Sequence, residues 1–154
     1  MVKNMNMYSN DIIDGRETPP LVITSDHVIE GVHSGTVHVE RGHLEIDGTI
    51  KGTLVLHSGT RATIAGAQKG TVTVHADSHV IVSGRINGTT IVDPGATLIV
   101  EGDGKLAGTL RCDGLVVVRG VFAGAHSGSG QLIFEGSGYE KEPVIRNGIH
   151  YYEW

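Results

Sequence analysis

A glycine at every eighteenth position is the feature that most restricts how this chain can fold. The series runs through Gly48, Gly66, Gly84, Gly102, Gly120 and Gly138. Aliphatic residues stand two and four positions before most of these glycines, and two such columns predict a strand with both side chains facing inward. A repeat of this length is typical of solenoids, in which each turn of the chain packs on the turn before it.

A finer period of six divides each repeat. Aliphatic residues recur at this interval from Leu44 to Phe122 and fail only at Gln68 and Gly104. Three such intervals make one turn, so each turn contains three short strands and three corners. The sequence therefore predicts an all-β, single-domain parallel β-helix, a triangular β-solenoid with about 18 residues per rung and about six to seven rungs stacked about 4.8 Å apart.

Intervals between recurring Gly-Thr pairs refine this register. Successive pairs first stand one rung apart, but the interval from Gly88 to Gly108 is longer by two. The long interval predicts a two-residue insertion near Asp103–Lys105. Because Gly120 keeps to the eighteen-residue series, a compensating deletion is required near Asp113. The predicted organisation is an N-terminal arm or cap at 1–20, a solenoid at 21–138 and an aromatic-rich tail at 139–154 that can serve as a second cap.

Composition narrows the class of protein further. The 154 residues include 23 glycines but only 4 prolines, and aromatic residues make up 5 %, which suits short strands joined by tight turns. The net charge of −5 gives no reason to expect a nucleic-acid partner. Residues 1–14 lack an apolar signal-type core, and no run of about 18 apolar residues occurs. We therefore expect a cytoplasmic protein that does not contact membranes.

The single cysteine, Cys112, excludes an internal disulfide and a cysteine-rich metal site, and it fits a reducing compartment. Its position predicts a small buried side chain near Val92 and Leu110.

One corner of the predicted rung carries the pattern aliphatic-x-Gly-x-Ile-x-Gly. It occurs at Ile46–Gly52 and Val82–Gly88, and with phenylalanine in place of isoleucine at Val118–Gly124. This pattern resembles the bactofilins, polymer-forming cytoskeletal proteins of bacteria, over roughly Val28–Gly124. The resemblance implies a right-handed triangular β-helix and end-to-end self-assembly without nucleotide. The charged and aromatic tail at 139–154 departs from that family, and the hexapeptide acyltransferases fit poorly because glycine does not follow the aliphatic positions here.

The second strand of each rung is predicted to carry apolar side chains on its outer side as well. We call this set the side face, and it consists of Ile81, Ile99, Leu115, Val117 and Ile133. An apolar patch of a few hundred Å² needs a cover or a partner. Three alternatives are open, namely the chain's own tail with Tyr151, Tyr152 and Trp154, a partner protein or second copy, and solvent.

A second candidate surface is a basic stripe of Lys51, Lys69, Arg85 and Lys105. The lysines share one regular interval with Asn87, which predicts one column with Arg85 beside it. Stacked cations can face acidic lipid or an acidic protein, or they can be solvated charges that discourage sideways association of sheets.

Histidine is frequent, with nine residues, and His57 and His75 share a predicted column with Asp93. Two histidines on neighbouring rungs can meet a metal ion, but the sequence offers no placed third ligand. No metal, cofactor, catalytic or small-molecule site is therefore predicted.

A short, smooth solenoid has no cleft, so we do not expect an enzyme. The first hypothesis is a bactofilin-like scaffold that assembles with itself through its open ends and acts through protein–protein contacts. The alternative is a cytosolic binding or immunity-type protein that occludes a partner such as a toxin. Filaments would favour the first hypothesis, and a discrete small particle would favour the second.

Overall fold

The computed structural model describes residues 21–140 in full, and outside them only the backbone of four short strands. In chain order the strands are β1 (Asp11–Ile13), β2 (Arg16–Thr18), β3 (Leu21–Ile23), β4 (His27–Ile29), β5 (Val32–Ser34), β6 (Val37–Val39), β7 (His43–Ile46), β8 (Thr49–Lys51), β9 (Leu54–Leu56), β10 (Arg61–Ile64), β11 (Ala67–Lys69), β12 (Val72–Val74), β13 (His79–Val82), β14 (Arg85–Val92), β15 (Thr97–Val100), β16 (Lys105–Cys112), β17 (Leu115–Val118), β18 (Val121–Ser127), β19 (Gln131–Phe134), β20 (Tyr139–Glu140), β21 (Val144–Arg146) and β22 (Ile149–Tyr151). Throughout these described parts no helix is long and apolar enough to cross a membrane.

Every strand pair within residues 21–140 is parallel, and partners come from successive turns of the chain. One sheet contains seven strands, in the order β19-β17-β15-β13-β10-β7-β4, so the solenoid has about seven rungs. The other strands form a larger sheet that bends at a corner, because β14 pairs with both β11 and β12. The predicted all-β parallel solenoid is confirmed. The short pairs β1–β2 and β21–β22 are antiparallel.

The core is a stack of aliphatic columns inside the rungs. Each aliphatic residue of the six-residue period between Leu44 and Phe122 is at most 2 % exposed. Gln68 is also fully buried, between Ile50 and Ile86 in the register. Its Nε2 donates to the Gly52 carbonyl at 2.7 Å, while its Oε1 has no hydrogen-bond partner. The alternation of the strand forces this amide inward, and a corner carbonyl compensates part of the desolvation cost.

Glycines form a second set of columns at the corners. Gly52, Gly70, Gly88, Gly108 and Gly124 all have positive φ angles. A Cβ at any of them would overlap the carbonyl oxygen of the glycine one rung earlier. Both the backbone angle and the close approach exclude larger residues here.

The predicted insertion and deletion are confirmed. Val100 pairs with Val82 at the regular interval, but Lys105 pairs with Arg85 at an interval that is longer by two. Residues 101–104 therefore make a longer corner. The corner after Cys112 is correspondingly shorter, since Leu115 pairs with Thr97 at the regular interval again.

This longer corner corrects the glycine series at one position. Lys105 N donates to the Gly84 carbonyl, so Gly104 takes the corner place above Gly84. A Cβ on Gly104 would overlap the Val82 carbonyl, whereas nothing lies within 4 Å of one on Gly102. The constant eighteen-residue interval predicted Gly102 for the corner place above Gly84. This prediction was wrong, because the two extra residues lie in the corner before β16 begins.

Candidate interaction surfaces

The side face lies on the outer surface of the seven-stranded sheet. One outward column reads Glu45, Thr63, Ile81, Ile99, Val117 and Ile133, and its neighbour reads His43, Arg61, His79, Thr97, Leu115 and Gln131. A constant rung of 18 residues predicts Ile133 in the column of Leu115, and this prediction is wrong. Since β19 follows β17 at a shorter interval than the regular one, Ile133 lies above Val117 instead.

Exposure varies along the side face. Ile81 and Ile133 are about two-fifths exposed, at 40 % and 39 %, and Ile99 and Leu115 are half-buried. Val117 lies in the same outward column but is only 8 % exposed. Trp154 and Tyr152 lie outside the described residues, as does the Tyr151 side chain. Coverage of the side face by the tail therefore stays a prediction.

A shallow groove runs over the middle of the side face. Its apolar wall includes Ile81 and Ile99, and its polar rim includes His43, Arg61 and His79. His43 Nε2 and Thr63 Oγ1 are 2.9 Å apart, within hydrogen-bond distance. No carboxylate is among the residues that line the groove. The groove therefore suits an aliphatic side chain that lies next to an acidic group.

The two ends of the described solenoid form the other apolar surfaces, which we call the end surfaces. Strands β3, β4 and β5 at one end, and β19 and β20 at the other, each pair on one side only within 21–140. Of the seven large, exposed hydrophobic residues in this range, all except Ile81 lie on these strands. They are Val22, Val28 and Val32 at the N-terminal end, and Phe134, Tyr139 and Ile133, which also belongs to the side face, at the C-terminal end.

The basic stripe is exposed, but its arrangement differs from the prediction. Lys51 pairs with Lys69, and Lys69 pairs with Asn87. Lys105 stands in the column of Arg85, because the two-residue insertion shifts it. The stripe is therefore two short columns side by side rather than one long one. All four cations are exposed, which is compatible with solvated charge.

Some other polar groups tie rungs together near the C-terminal end. Arg119 lies 3.4 Å from Glu101 and 3.1 Å from Glu135, one on each neighbouring rung. These side chains are two-fifths to one-half exposed, so each pair contributes about 1 kcal/mol or less.

Cys112 is 4 % exposed, as predicted, and burial raises the pKa of its thiol.

Two carboxyl groups have shifted pKa values for local reasons. The pKa of Asp113 is lowered mainly by the hydrogen bond from the Ser129 backbone N–H, at 2.9 Å, and then by Arg111. The pKa of Glu45, at the acidic end of the side face, is raised mainly by a hydrogen bond with Asp47 and by repulsion from that group. Both carboxyl groups are half-buried, and the main causes of both shifts are neighbouring groups rather than burial.

A histidine column follows the outside of the wall formed by β6, β9 and β12. It consists of His38, His57, His75 and Asp93, and the predicted alignment of the last three is confirmed. The sequence missed His38, because in the register it stands opposite Val55 and its ring contacts His57 diagonally. Within the described part of the chain, no group of three or more histidine, cysteine or acidic side chains is arranged to hold a metal ion.

The chain matches no protein-family model, no curated protein and no solved structure. The structure shows that the protein is a parallel β-solenoid of about seven turns, in which each turn repeats the three short strands of the turn before it.

Proposed function

We propose that this protein is a non-enzymatic, bactofilin-like scaffold of the cytoplasm that assembles with copies of itself through its end surfaces. The observation that carries the proposal is the position of the exposed apolar residues. Six of the seven large, exposed hydrophobic residues in the described range lie on the terminal strands. The right-handed winding implied by the sequence resemblance is part of the same proposal.

The end surfaces are suited to self-association for a second reason. Each terminal strand presents backbone N–H and C=O groups on the side where it lacks a strand partner within 21–140. A second copy can pair with these groups and continue the ladder, which satisfies them without any cofactor. The same contact removes apolar surface such as Val32, which is 66 % exposed, from water.

The connections between strands support a structural rather than a catalytic role. Within residues 21–140 the longest connection between two strands has four residues, as at 57–60 and 101–104. Ligand and active sites are concave, and connections of this length leave the walls smooth apart from shallow grooves. The net charge of −5 favours protein partners over nucleic acid.

The proposal predicts that particle size increases with protein concentration. Static light scattering over a wide concentration range, with electron microscopy of the same samples, measures this. We expect Val32→Glu and Tyr139→Glu to stop the growth, because each places a charge on an end surface. These side chains are 66 % and 51 % exposed, so neither change should disturb folding. Ile81→Glu, on the side face, is the matched control and should leave assembly unchanged.

A uniform particle of 16.3 kDa at every concentration would contradict the scaffold proposal. Growth that survives both end variants but disappears in Ile81→Glu would place the contact on the side face instead.

The groove on the side face favours a second candidate function, a binding or immunity-type protein that occludes a partner. Its cationic rim at Arg61 and its apolar wall at Ile81 and Ile99 fit an acidic, aliphatic surface on such a partner. This function requires a discrete particle, so the same scattering experiment separates it from the scaffold.

A further inference from the structure

The histidine column contains four titratable groups on successive rungs, and the proposed assembly uses none of them. His38 Nδ1 lies 3.2 Å from His57 Nε2, and their ring centroids are 5.4 Å apart. The His57 and His75 centroids are 5.8 Å apart. His75 Nδ1 lies 2.8 Å from Asp93 Oδ2. All four side chains are half-buried.

The contact between His38 and His57 limits how many protons the column can hold. Each neutral imidazole has one N–H and one lone pair, so two facing nitrogens at 3.2 Å share a single proton. One added proton still leaves an imidazolium that donates to a neutral ring. A second added proton places two N–H donors against each other and breaks the contact.

The groups around His57 make a positive charge on its ring costly. His75 is on one side, and the hydrogen bond of its ring goes to Asp93 rather than to His57. The nearby Glu40 favours a charge on His57. Burial, followed by His75, lowers the pKa of His57 despite Glu40.

We propose that the histidine column is a pH-sensitive clasp between rungs, closed at neutral pH and opened in mild acid when the His38–His57 contact takes up a second proton. Proton linkage gives the direction in which pH changes the stability of the closed state. With its folded-state pKa lowered, His57 binds fewer protons than in the open state, whose pKa is near the ordinary value of about 6.5. The stabilisation is therefore complete above about pH 6.5. Below this pH, the equilibrium constant for closing falls by up to about tenfold per pH unit for each proton taken up.

Hydrogen exchange read by mass spectrometry tests the clasp, and it works for monomers and assemblies alike. The backbone N–H groups of His57 and His75 donate to Val39 and Leu56, one rung earlier, so peptides over 54–61 and 72–79 report its opening. Exchange is measured at pH 7.5 and 5.5 with EDTA present, and rates are corrected for the intrinsic effect of pH. We expect these peptides to lose protection at pH 5.5, while a peptide over 115–121 does not.

His57→Gln removes the titrating ring, so we expect the same peptides to have pH-independent protection, whatever its level at pH 7.5. His79→Gln, which changes an exposed histidine on the seven-stranded sheet, is the matched control and should keep the wild-type response. Protection that does not change with pH in the wild type would overturn the clasp. A response that His57→Gln leaves intact would overturn it too.

Discussion

Val82→Asp is expected to remove most of the folding stability of the solenoid. Val82 is fully buried, with Ile64 and Val100 beside it on the adjoining rungs. A carboxylate at this position has no cationic partner in the aliphatic column, and an unpaired buried charge is among the few changes that cost more than about 4–5 kcal/mol. That is a large part of the roughly 5–15 kcal/mol that stabilises a domain. Urea unfolding followed by circular dichroism measures the loss.

Ile81→Asp is the matched control for this prediction. It introduces the same carboxylate one residue earlier in the same strand, but on the outer side, where Ile81 is 40 % exposed. We expect a loss of less than about 1 kcal/mol, typical of a strand-surface position. If Val82→Asp unfolds at the same urea concentration as the wild type, the inward columns are assigned to the wrong side of the strand.

The second large effect is expected at Gly104 and not at Gly102. A Cβ on Gly104 would overlap the Val82 carbonyl oxygen and press on the Val100 side chain. Gly104→Ala should therefore destabilise the protein by about 1–3 kcal/mol or more, since backbone must move to admit the methyl group. The same urea experiment gives the value.

Gly102→Ala is the internal comparison, because it makes the same change two residues earlier. Gly102 is exposed, and nothing lies within 4 Å of an added Cβ, so the effect should stay within about 0.5 kcal/mol. The reverse order of the two effects would mean that the constant glycine interval continues through this corner and that the register of Lys105 is wrong.

The fold class could be predicted from the sequence because two periods act together. A strand alternates between inside and outside every two residues, so the six-residue period marks one inward position in each strand, and the eighteen-residue glycine period makes three such strands one turn. Thus Leu44, Val80 and Leu98 could be assigned to the core from the sequence, and they are fully buried. Gln68, where the aliphatic period fails, is buried as well, because strand alternation directs its side chain inward despite its polarity.

The candidate surfaces could be predicted only in part. The outward direction of Ile81 and the exposure of Lys51 follow from alternation alone. The columns of Lys105 and Ile133 do not, because a corner can gain or lose two residues without any change in the strands that flank it. The partnership of His38 with His57 was missed for another reason, since the two residues lie in neighbouring columns and meet diagonally.

The sequence by itself thus determined the parallel β-solenoid, its rung length and its aliphatic core, since these depend on the periodic alternation of apolar residues. Only the tertiary structure decided which residues stand above one another at the irregular corners, how far Val117 is buried, and that the exposed apolar residues gather at the end surfaces. The physical reason is that hydrogen bonds between rungs, such as that from Lys105 N to the Gly84 carbonyl, set the register, and a strict count along the chain cannot foresee where a corner lengthens.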